Sequence, residues 1–169
     1  MKYIVVFAGP VGSSKTPIAN YLSSKFNLPT FNTDAIRSEV TEDFLSFSED
    51  EFIKRRNSRL LSLFEKEDSF ILDASIDREW KNYQGELLKS DFKIFTISLD
   101  LSRDFLAKLY AAKNYSESLK DIDRFIKDHQ NFISQYAPIV NLSINDSNFT
   151  DRLSLSEKYL SKWLENNGP

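Results

Sequence analysis

Residues 9–16, Gly-Pro-Val-Gly-Ser-Ser-Lys-Thr, have the residue types and nearly the spacing of a loop that binds phosphate groups. The pattern GxxxxGK[ST] supplies backbone N–H groups to a triphosphate, a lysine for its β- and γ-oxygens, and a hydroxyl for Mg²⁺. Here Lys15 would be the cation and Thr16 the Mg²⁺ ligand. We call this segment the glycine loop. The residues predicted to bind the nucleotide are Gly9, Pro10, Val11, Gly12, Ser13, Ser14, Lys15 and Thr16.

Ser14 departs from this pattern, because it stands where the second glycine is expected. A Cβ atom there crowds the phosphate or opposes the backbone angles that glycine adopts freely. A left-handed angle on a residue other than glycine costs about 1–2 kcal/mol, which corresponds to a loss of affinity of about five- to thirty-fold. The sequence therefore predicts a weakened site and not an abolished one. An ordinary strand–turn–helix connection with an accidental Lys-Thr pair is the alternative.

Two charged residues, Asp34 and Arg37, follow a second candidate strand and are one helical turn apart, so they can face the same cleft. The carboxylate could accept the proton of an attacking hydroxyl group, and the guanidinium could bind a phosphate or a substrate acid in a bidentate manner. The alternative is that Asp34 caps the next helix and that Arg37 is solvated.

Asp73 ends a third apolar run, Phe70-Ile71-Leu72-Asp73. A carboxylate at the end of a buried strand is costly unless a group such as hydrated Mg²⁺ interacts with it. Asp73 is therefore predicted to be a metal ligand together with Thr16. A helix cap is again the alternative.

The elements that would position these residues are short apolar runs separated by longer segments of helical period, which favours a parallel sheet in an α/β fold. Helices are indicated by the spacing of Ile18, Leu22 and Phe26, of Phe105, Leu109 and Ala112, of Leu119 through Tyr136, and of Leu155, Tyr159 and Trp163. Ser48 and Glu51 form a capping box before a helix that carries Phe52 to Phe64. The strand candidates are Tyr3–Ala8, Pro29–Asn32, Phe70–Asp73, Phe92–Ser98 and Ile139–Ile144.

Composition limits the classes of function. The 169 residues, 41% of them hydrophobic, suit one domain, and the absence of cysteine excludes disulfides, thiolate metal sites and cysteine nucleophiles. The net charge of -3 does not favour a polynucleotide or an anionic membrane as partner. The apolar run near the N-terminus, Ile4–Ala8, is too short for a signal peptide or a membrane span, so we expect a cytoplasmic protein.

Taken together, the glycine loop, the Asp34/Arg37 pair, Asp73 with Ala74-Ser75, and the later strands and helices resemble the small P-loop kinases over nearly the whole chain. The similarity is to predicted AAA-type ATP-binding kinases, which are related to the polynucleotide 5′-hydroxyl kinase, gluconate kinase and zeta-toxin branches. It implies a three-layer α/β/α P-loop NTPase fold with a five-stranded parallel sheet in the order 2-3-1-4-5. It also implies ATP, Mg²⁺ and phosphoryl transfer to a hydroxyl group of a small acceptor.

Carried over residue by residue, the resemblance implies that Lys15 binds phosphates and that Asp34 is the base or the residue that orients the hydroxyl. Arg37 would bind substrate or phosphate. Residues 1–169 would form a single domain, with a helical region that covers the acceptor at about 40–66 and a lid at about 103–128.

The resemblance has a second departure besides Ser14, because the lid of such kinases usually offers an arginine where this chain has Lys113. Lysine keeps the charge but lacks the planar guanidinium that spans two oxygens. A nucleotide-binding module with little or no phosphotransfer, used for sensing or partner binding, is therefore the alternative function. The sequence leaves open the acceptor, ATP versus GTP, and whether the protein is a monomer or a dimer. His129, on an apolar helical stripe, is predicted to be structural.

Overall fold

The structure is a computed structural model that describes residues 1–66, 68–89 and 91–167. Its five strands form one sheet in which all neighbours are parallel, in the order β2-β3-β1-β4-β5. The predicted fold class and the predicted strand order are confirmed. The strands are β1 (Tyr3–Ala8), β2 (Thr30–Asn32), β3 (Phe70–Ser75), β4 (Lys93–Asp100) and β5 (Val140–Asn145).

Helices precede or follow each strand and cover both faces of the sheet. They are α1 (Lys15–Phe26), α2 (Thr33–Phe44), α3 (Glu49–Lys66), α4 (Trp80–Lys89), α5 (Arg103–Lys113), α6 (Ser116–Leu119), α7 (Ile122–Tyr136) and α8 (Arg152–Asn167). Short 3₁₀ turns at Ala137–Ile139 and Phe149–Asp151 lead into and out of β5. Within the described residues, no helix combines the length and the apolar character that a membrane span requires.

The central strand β1 shows how the sequence builds three layers. Because successive side chains of a strand point to opposite faces, Val5 and Phe7 pack on the side of α1 and α8. Ile4 and Val6 pack on the opposite side, against the buried residues of α3, α4 and α7. Burial of both faces explains why β1 is an uninterrupted apolar run. The carboxyl end of each parallel strand then lies at one edge of the sheet, where β1 leads into the glycine loop.

The observed helices differ from the predicted ones at two places. The helical pattern from Leu119 to Tyr136 was predicted as one helix, but the structure divides it into α6 and α7. Between them Lys120 N donates to Glu117 O (3.3 Å) and Asp121 N to Ser118 O (3.2 Å), which are bonds between residues three apart and not four as in an α-helix. Helix α4 was not predicted. The sequence does carry a short helical period here, at Trp80, Tyr83 and Leu87, and the prediction overlooked it.

Candidate active site

The glycine loop has positive φ angles at three positions, which are Gly9 (145°), Gly12 (70°) and Ser14 (87°). A Cβ atom on Gly9 would lie 2.8 Å from the Leu99 side chain, and one on Gly12 would lie 2.7 Å from the ring of Tyr110. Glycine is therefore required at both positions. Ser14, in contrast, takes the left-handed conformation (ψ 24°) although it has a side chain.

Lys15 is held against the loop that carries it. Its Nζ donates hydrogen bonds to Gly9 O (2.9 Å) and Pro10 O (2.5 Å). Burial lowers the pKa of Lys15 to about 8, while the carboxylates of Asp77, Asp73 and Asp34 act in the opposite direction. The ammonium group is therefore poorly solvated, and the nearby carboxylates compensate for this only in part.

Two side chains of the predicted lid contact the next two carbonyl groups of the loop. The hydroxyl of Tyr110 donates to Val11 O at 2.5 Å, and Lys113 Nζ donates to Gly12 O at 2.7 Å. Burial, and secondly the charge of Arg152, lowers the pKa of Lys113. Because Tyr110 and Lys113 bind these carbonyl groups, the loop is fixed from α5 as well as from α1. The N–H groups in the first turn of α1 have no intrahelical partner and are available to an anion.

Thr16 and Asp73 meet at the base of the loop. Thr16 Oγ1 donates to Asp73 Oδ1 at 3.2 Å, and Asn32 Nδ2 donates to Asp73 Oδ2 at 2.9 Å, which follows from the pairing of Asn32 with Asp73 in neighbouring strands. Burial raises the pKa of Asp73, opposed by the Thr16 hydrogen bond and the Lys15 charge. Asp73 lies inside β3 and does not cap a helix, so that alternative is wrong.

A hydroxyl beside a carboxylate is an oxygen donor set that suits Mg²⁺, which keeps several waters and binds through one or two carboxylates together with substrate phosphates. Among the described residues, no group of three or more His, Cys, Asp or Glu could hold a metal ion by itself. The Thr16–Asp73 pair therefore fits an ion that arrives with a phosphate, rather than one held in a protein cage.

Asp34 lies in the first turn of α2 and is exposed. The residue that caps this helix is Asn32, whose Oδ1 accepts hydrogen bonds from the backbone N–H groups of Asp34 (2.8 Å) and Ala35 (3.3 Å). The alternative that Asp34 is the cap is therefore wrong. The Asp34 carboxylate therefore does not cap the helix, and its negative charge acts to raise the pKa values of both Lys15 and Asp73.

Arg37 lies one turn after Asp34 on α2, but its side chain contacts aromatic residues. The Arg37 guanidinium lies over two aromatic rings, 4.1 Å from the Phe47 centroid and 5.0 Å from the Phe52 centroid. Two arginines of α3 form ion pairs: Arg55 contacts Glu51, Glu39 and Asp43, and Arg59 contacts Glu39. The role predicted for Arg37 in binding stays a prediction.

Most of the predicted residues share one open cavity of about 570 Å³. Its lining comes from Val11, Gly12 and residues 14–17, from residues 32–34 and 73–75, and from Lys113 with Tyr115. Of the residues predicted to bind the nucleotide, Gly9, Pro10 and Ser13 are not among the described residues that line it. Lys15, Thr16, Asp34, Asp73 and Lys113 are all part of it. Arg37 is not among the described residues that line it.

Sequence reasoning missed Asp77, which lies beneath the loop. Its carboxylate oxygens accept from Gly9 N–H at 3.0 and 3.2 Å, and His129 Nδ1 lies 3.2 Å from Oδ1. His129 is 3% exposed, and its Nε2 lies 3.3 Å from Ser98 Oγ, so the structural role predicted for this histidine is confirmed. The role of Asp77 can be recognised only in the folded chain, because Gly9 and His129 are both more than 50 positions away from it in the sequence.

Arg152 was also missed. Its Nε donates to Ser14 Oγ at 2.8 Å across 138 residues of sequence. No local pattern indicates such a contact, because Arg152 is simply the first residue of α8 in the sequence.

At the level of sequence, no protein-family model matches the chain, and no curated protein matches it either. Solved structures match it over nearly its full length. The chain is similar to a gluconokinase from Sinorhizobium meliloti 1021, with a TM-score of 0.64, 15% identity, and coverage of 98% of this chain and 94% of that chain. A shikimate kinase from Bacteroides thetaiotaomicron has a TM-score of 0.60, 18% identity and coverage of 96% and 98%. A fungal RNA kinase has a TM-score of 0.61, 21% identity and coverage of 99% and 87%.

Proposed function

We propose that this chain, which has the fold of the small P-loop kinases, transfers the γ-phosphate of ATP to a hydroxyl group of a small molecule, nucleoside or nucleotide. One observation carries the proposal. Lys15, Thr16, Asp73 and Asp34, which come from three separate segments, line a single cavity of about 570 Å³. A cation, a site for Mg²⁺ and an exposed carboxylate are the groups that phosphoryl transfer requires, since this reaction depends mainly on positioning and electrostatics.

Each residue has a proposed role in binding or in proton transfer. The first-turn N–H groups of α1 and the Lys15 ammonium bind the phosphates, and the oxygens of the triphosphate replace the carbonyl groups of Gly9 and Pro10 as partners of Lys15. Asp34 orients the acceptor hydroxyl and accepts its proton. Thr16 and Asp73 would hold Mg²⁺, which when bound supplies positive charge to the phosphate oxygens. Lys113 adds positive charge from the lid side.

The acceptor is proposed to bind between the glycine loop and the helical region of about 40–66, under a lid of about 103–128. The similar structures include a gluconokinase and a shikimate kinase, whose names indicate small hydroxylated acids as acceptors. One of them is called an RNA kinase, so a 5′-hydroxyl oligonucleotide belongs among the compounds to be tested, although the net charge of -3 does not favour it.

Calorimetry of the purified protein with Mg²⁺ and nucleoside triphosphates tests the nucleotide half of the proposal. Incubation with Mg²⁺–ATP and a panel of sugars, sugar acids, nucleosides, nucleotides and 5′-hydroxyl oligonucleotides tests the acceptor half. We expect binding of ATP and ADP formation that depends on one class of acceptor. Absence of heat with every nucleoside triphosphate would remove the enzyme assignment and leave only the fold.

The pH dependence of ATP affinity is a further prediction. Burial lowers the pKa of Lys15 to about 8, so its charge is present below that pH and is lost as the pH rises through it. A bound phosphate favours the charged form, so affinity should be full at pH 7 and about tenfold weaker at pH 9. Calorimetric titrations across this range measure it. A Lys15→Arg variant corrects for the ionisation of ATP, because arginine stays charged throughout. A flat profile in the wild type would contradict the assignment of Lys15.

The Ser14→Gly variant distinguishes the proposed kinase from the alternative, a nucleotide-binding module with little or no phosphotransfer. Ser14 already has the left-handed conformation, and its hydroxyl is hydrogen-bonded. We therefore expect restoration of glycine to change the dissociation constant of Mg²⁺–ATP by less than about threefold. A large gain in affinity and in ATPase rate would show that serine impairs the site. It would favour the alternative function, a nucleotide-binding module with little or no phosphotransfer.

A further inference from the structure

We infer that Arg152 is a positioning residue of the glycine loop, which it holds in its nucleotide-binding shape through Ser14. The inference rests on the proposed function in one respect, which is that the loop binds a nucleotide. The residue belongs to α8, which follows β5 at the far end of the sequence, and it is not among the described residues that line the cavity. It therefore acts on the ligand through the loop and not by direct contact.

The first observation is the environment of the Ser14 hydroxyl. Ser14 precedes α1 and occupies the N-cap position, but its side chain makes no capping hydrogen bond to that helix. The residue is only 4% exposed, so water is nearly excluded from it. Its Oγ accepts a hydrogen bond from Arg152 Nε at 2.8 Å. The arginine thus provides the donor that a buried hydroxyl requires.

The second observation is that the guanidinium of Arg152 is itself fixed. Its Nη1 donates to Phe149 O at 3.1 Å, and its central carbon lies 4.3 Å above the Phe149 ring. Phe149 is buried and packs edge-on against Phe105, with the ring centroids 4.9 Å apart. Because the planar group is held on one face and at Nη1, little further ordering is needed to keep Nε directed at Ser14.

Together these contacts explain how serine is tolerated where the pattern has glycine. A left-handed angle disfavours serine by a factor of about five to thirty. The hydrogen bond from Arg152 is available only when the Ser14 side chain is directed toward α8, so it stabilises the loop in this conformation. Glycine would need no such partner. Ser14 and Arg152 are therefore expected to behave as one unit, and the β5–α8 connection becomes part of the nucleotide site.

A double-mutant cycle tests this coupling. The variants are Arg152→Met, which keeps an apolar stem, Ser14→Gly, and the double variant, with Lys158→Met as a control that removes another cation from the exposed surface of α8. The dissociation constant of Mg²⁺–ATP and the free energy of unfolding are measured for each. With Ser14 present, loss of Arg152 should weaken ATP binding about five- to thirty-fold. In the Ser14→Gly background the same loss should change affinity by less than about twofold.

An Arg152→Lys variant is the second line of the test. Lysine can donate to the Ser14 hydroxyl but cannot bind Phe149 O with a second nitrogen of a rigid group, so we expect affinity between those of the wild type and Arg152→Met. Equal losses of affinity in both backgrounds would overturn the inference, because Arg152 would then act only through the packing of α8 or its charge. An effect of Lys158→Met as large as that of Arg152→Met would overturn it as well. If the wild type binds no nucleoside triphosphate, the proposed function fails and the inference fails with it; coupling absent from a wild type that binds ATP removes the inference alone.

Discussion

The Lys15→Ala variant is expected to bind Mg²⁺–ATP far more weakly than the wild type and to have no measurable turnover. Removing one partner of a desolvated charge pair typically costs about 2–5 kcal/mol, which corresponds to about a 30-fold to several-thousand-fold loss of affinity. In this chain Lys15 lies among the carboxylates of Asp77, Asp73 and Asp34. Its loss would leave a triphosphate facing three acidic groups. Calorimetry measures the binding, and release of ADP measures the turnover.

The control for Lys15→Ala is Lys158→Ala, an exposed lysine on α8 that also lowers the net positive charge by one. It should leave affinity within about twofold of the wild type. The Lys15→Ala change also removes the donor that holds Gly9 O and Pro10 O, so the unfolding transition of each variant is recorded to show that the fold persists. Unchanged turnover in a folded Lys15→Ala variant would remove the glycine loop from the mechanism.

The sequence predicts the sheet well because its signals are local and strong. A strand buried on both faces reads as an apolar run, and the runs at β1, β3 and β4 stand out for that reason. The order of the strands came from the resemblance carried by the glycine loop and not from the runs themselves. Helix α4 was missed although Trp80, Tyr83 and Leu87 have helical spacing, because the pattern spans little more than two turns.

For the candidate site, local patterns identified the groups that can do chemistry but not their partners. Lys15, Thr16, Asp34 and Asp73 line the same cavity because parallel strands end at one edge of a sheet, and this rule can be applied to a sequence. The position of Arg37 could not be predicted, because it depends on aromatic rings contributed by the following helix and the loop before it.

The residues that hold the glycine loop from outside carry no local signal at all. Asp77 reaches Gly9 N–H from the segment after β3, and Tyr110 reaches Val11 O from α5. Arg152 reaches Ser14 from α8. Each contact joins residues that are more than 60 positions apart, so only the packed fold defines it. Ser14 is an example: the sequence predicts backbone strain at this position, and only the fold shows that Arg152 donates a hydrogen bond that stabilises it.

The Asp34→Asn variant should separate nucleotide binding from phosphoryl transfer. The side chains have nearly the same shape, and the backbone N–H of Asp34 can still donate to the Asn32 cap, so α2 should form as before. The amide cannot accept the proton of the acceptor hydroxyl as a carboxylate can. General base catalysis typically contributes about 10²- to 10⁴-fold, so kcat for the acceptor should fall by that factor while the dissociation constant of Mg²⁺–ATP changes by less than about threefold.

Glu42→Gln is the matched control for this change, since it neutralises an exposed carboxylate on the same helix away from the cavity lining. It should retain kcat within about twofold. Asp34 also lies in the first turn of α2, where a negative charge stabilises a helix by about 0.3–1 kcal/mol, so a small decrease in unfolding free energy is expected for Asp34→Asn. Loss of ATP binding together with transfer would show that Asp34 maintains the site's structure. Because its backbone alone serves the helix cap and its carboxylate lines the cavity, we expect the two activities to separate.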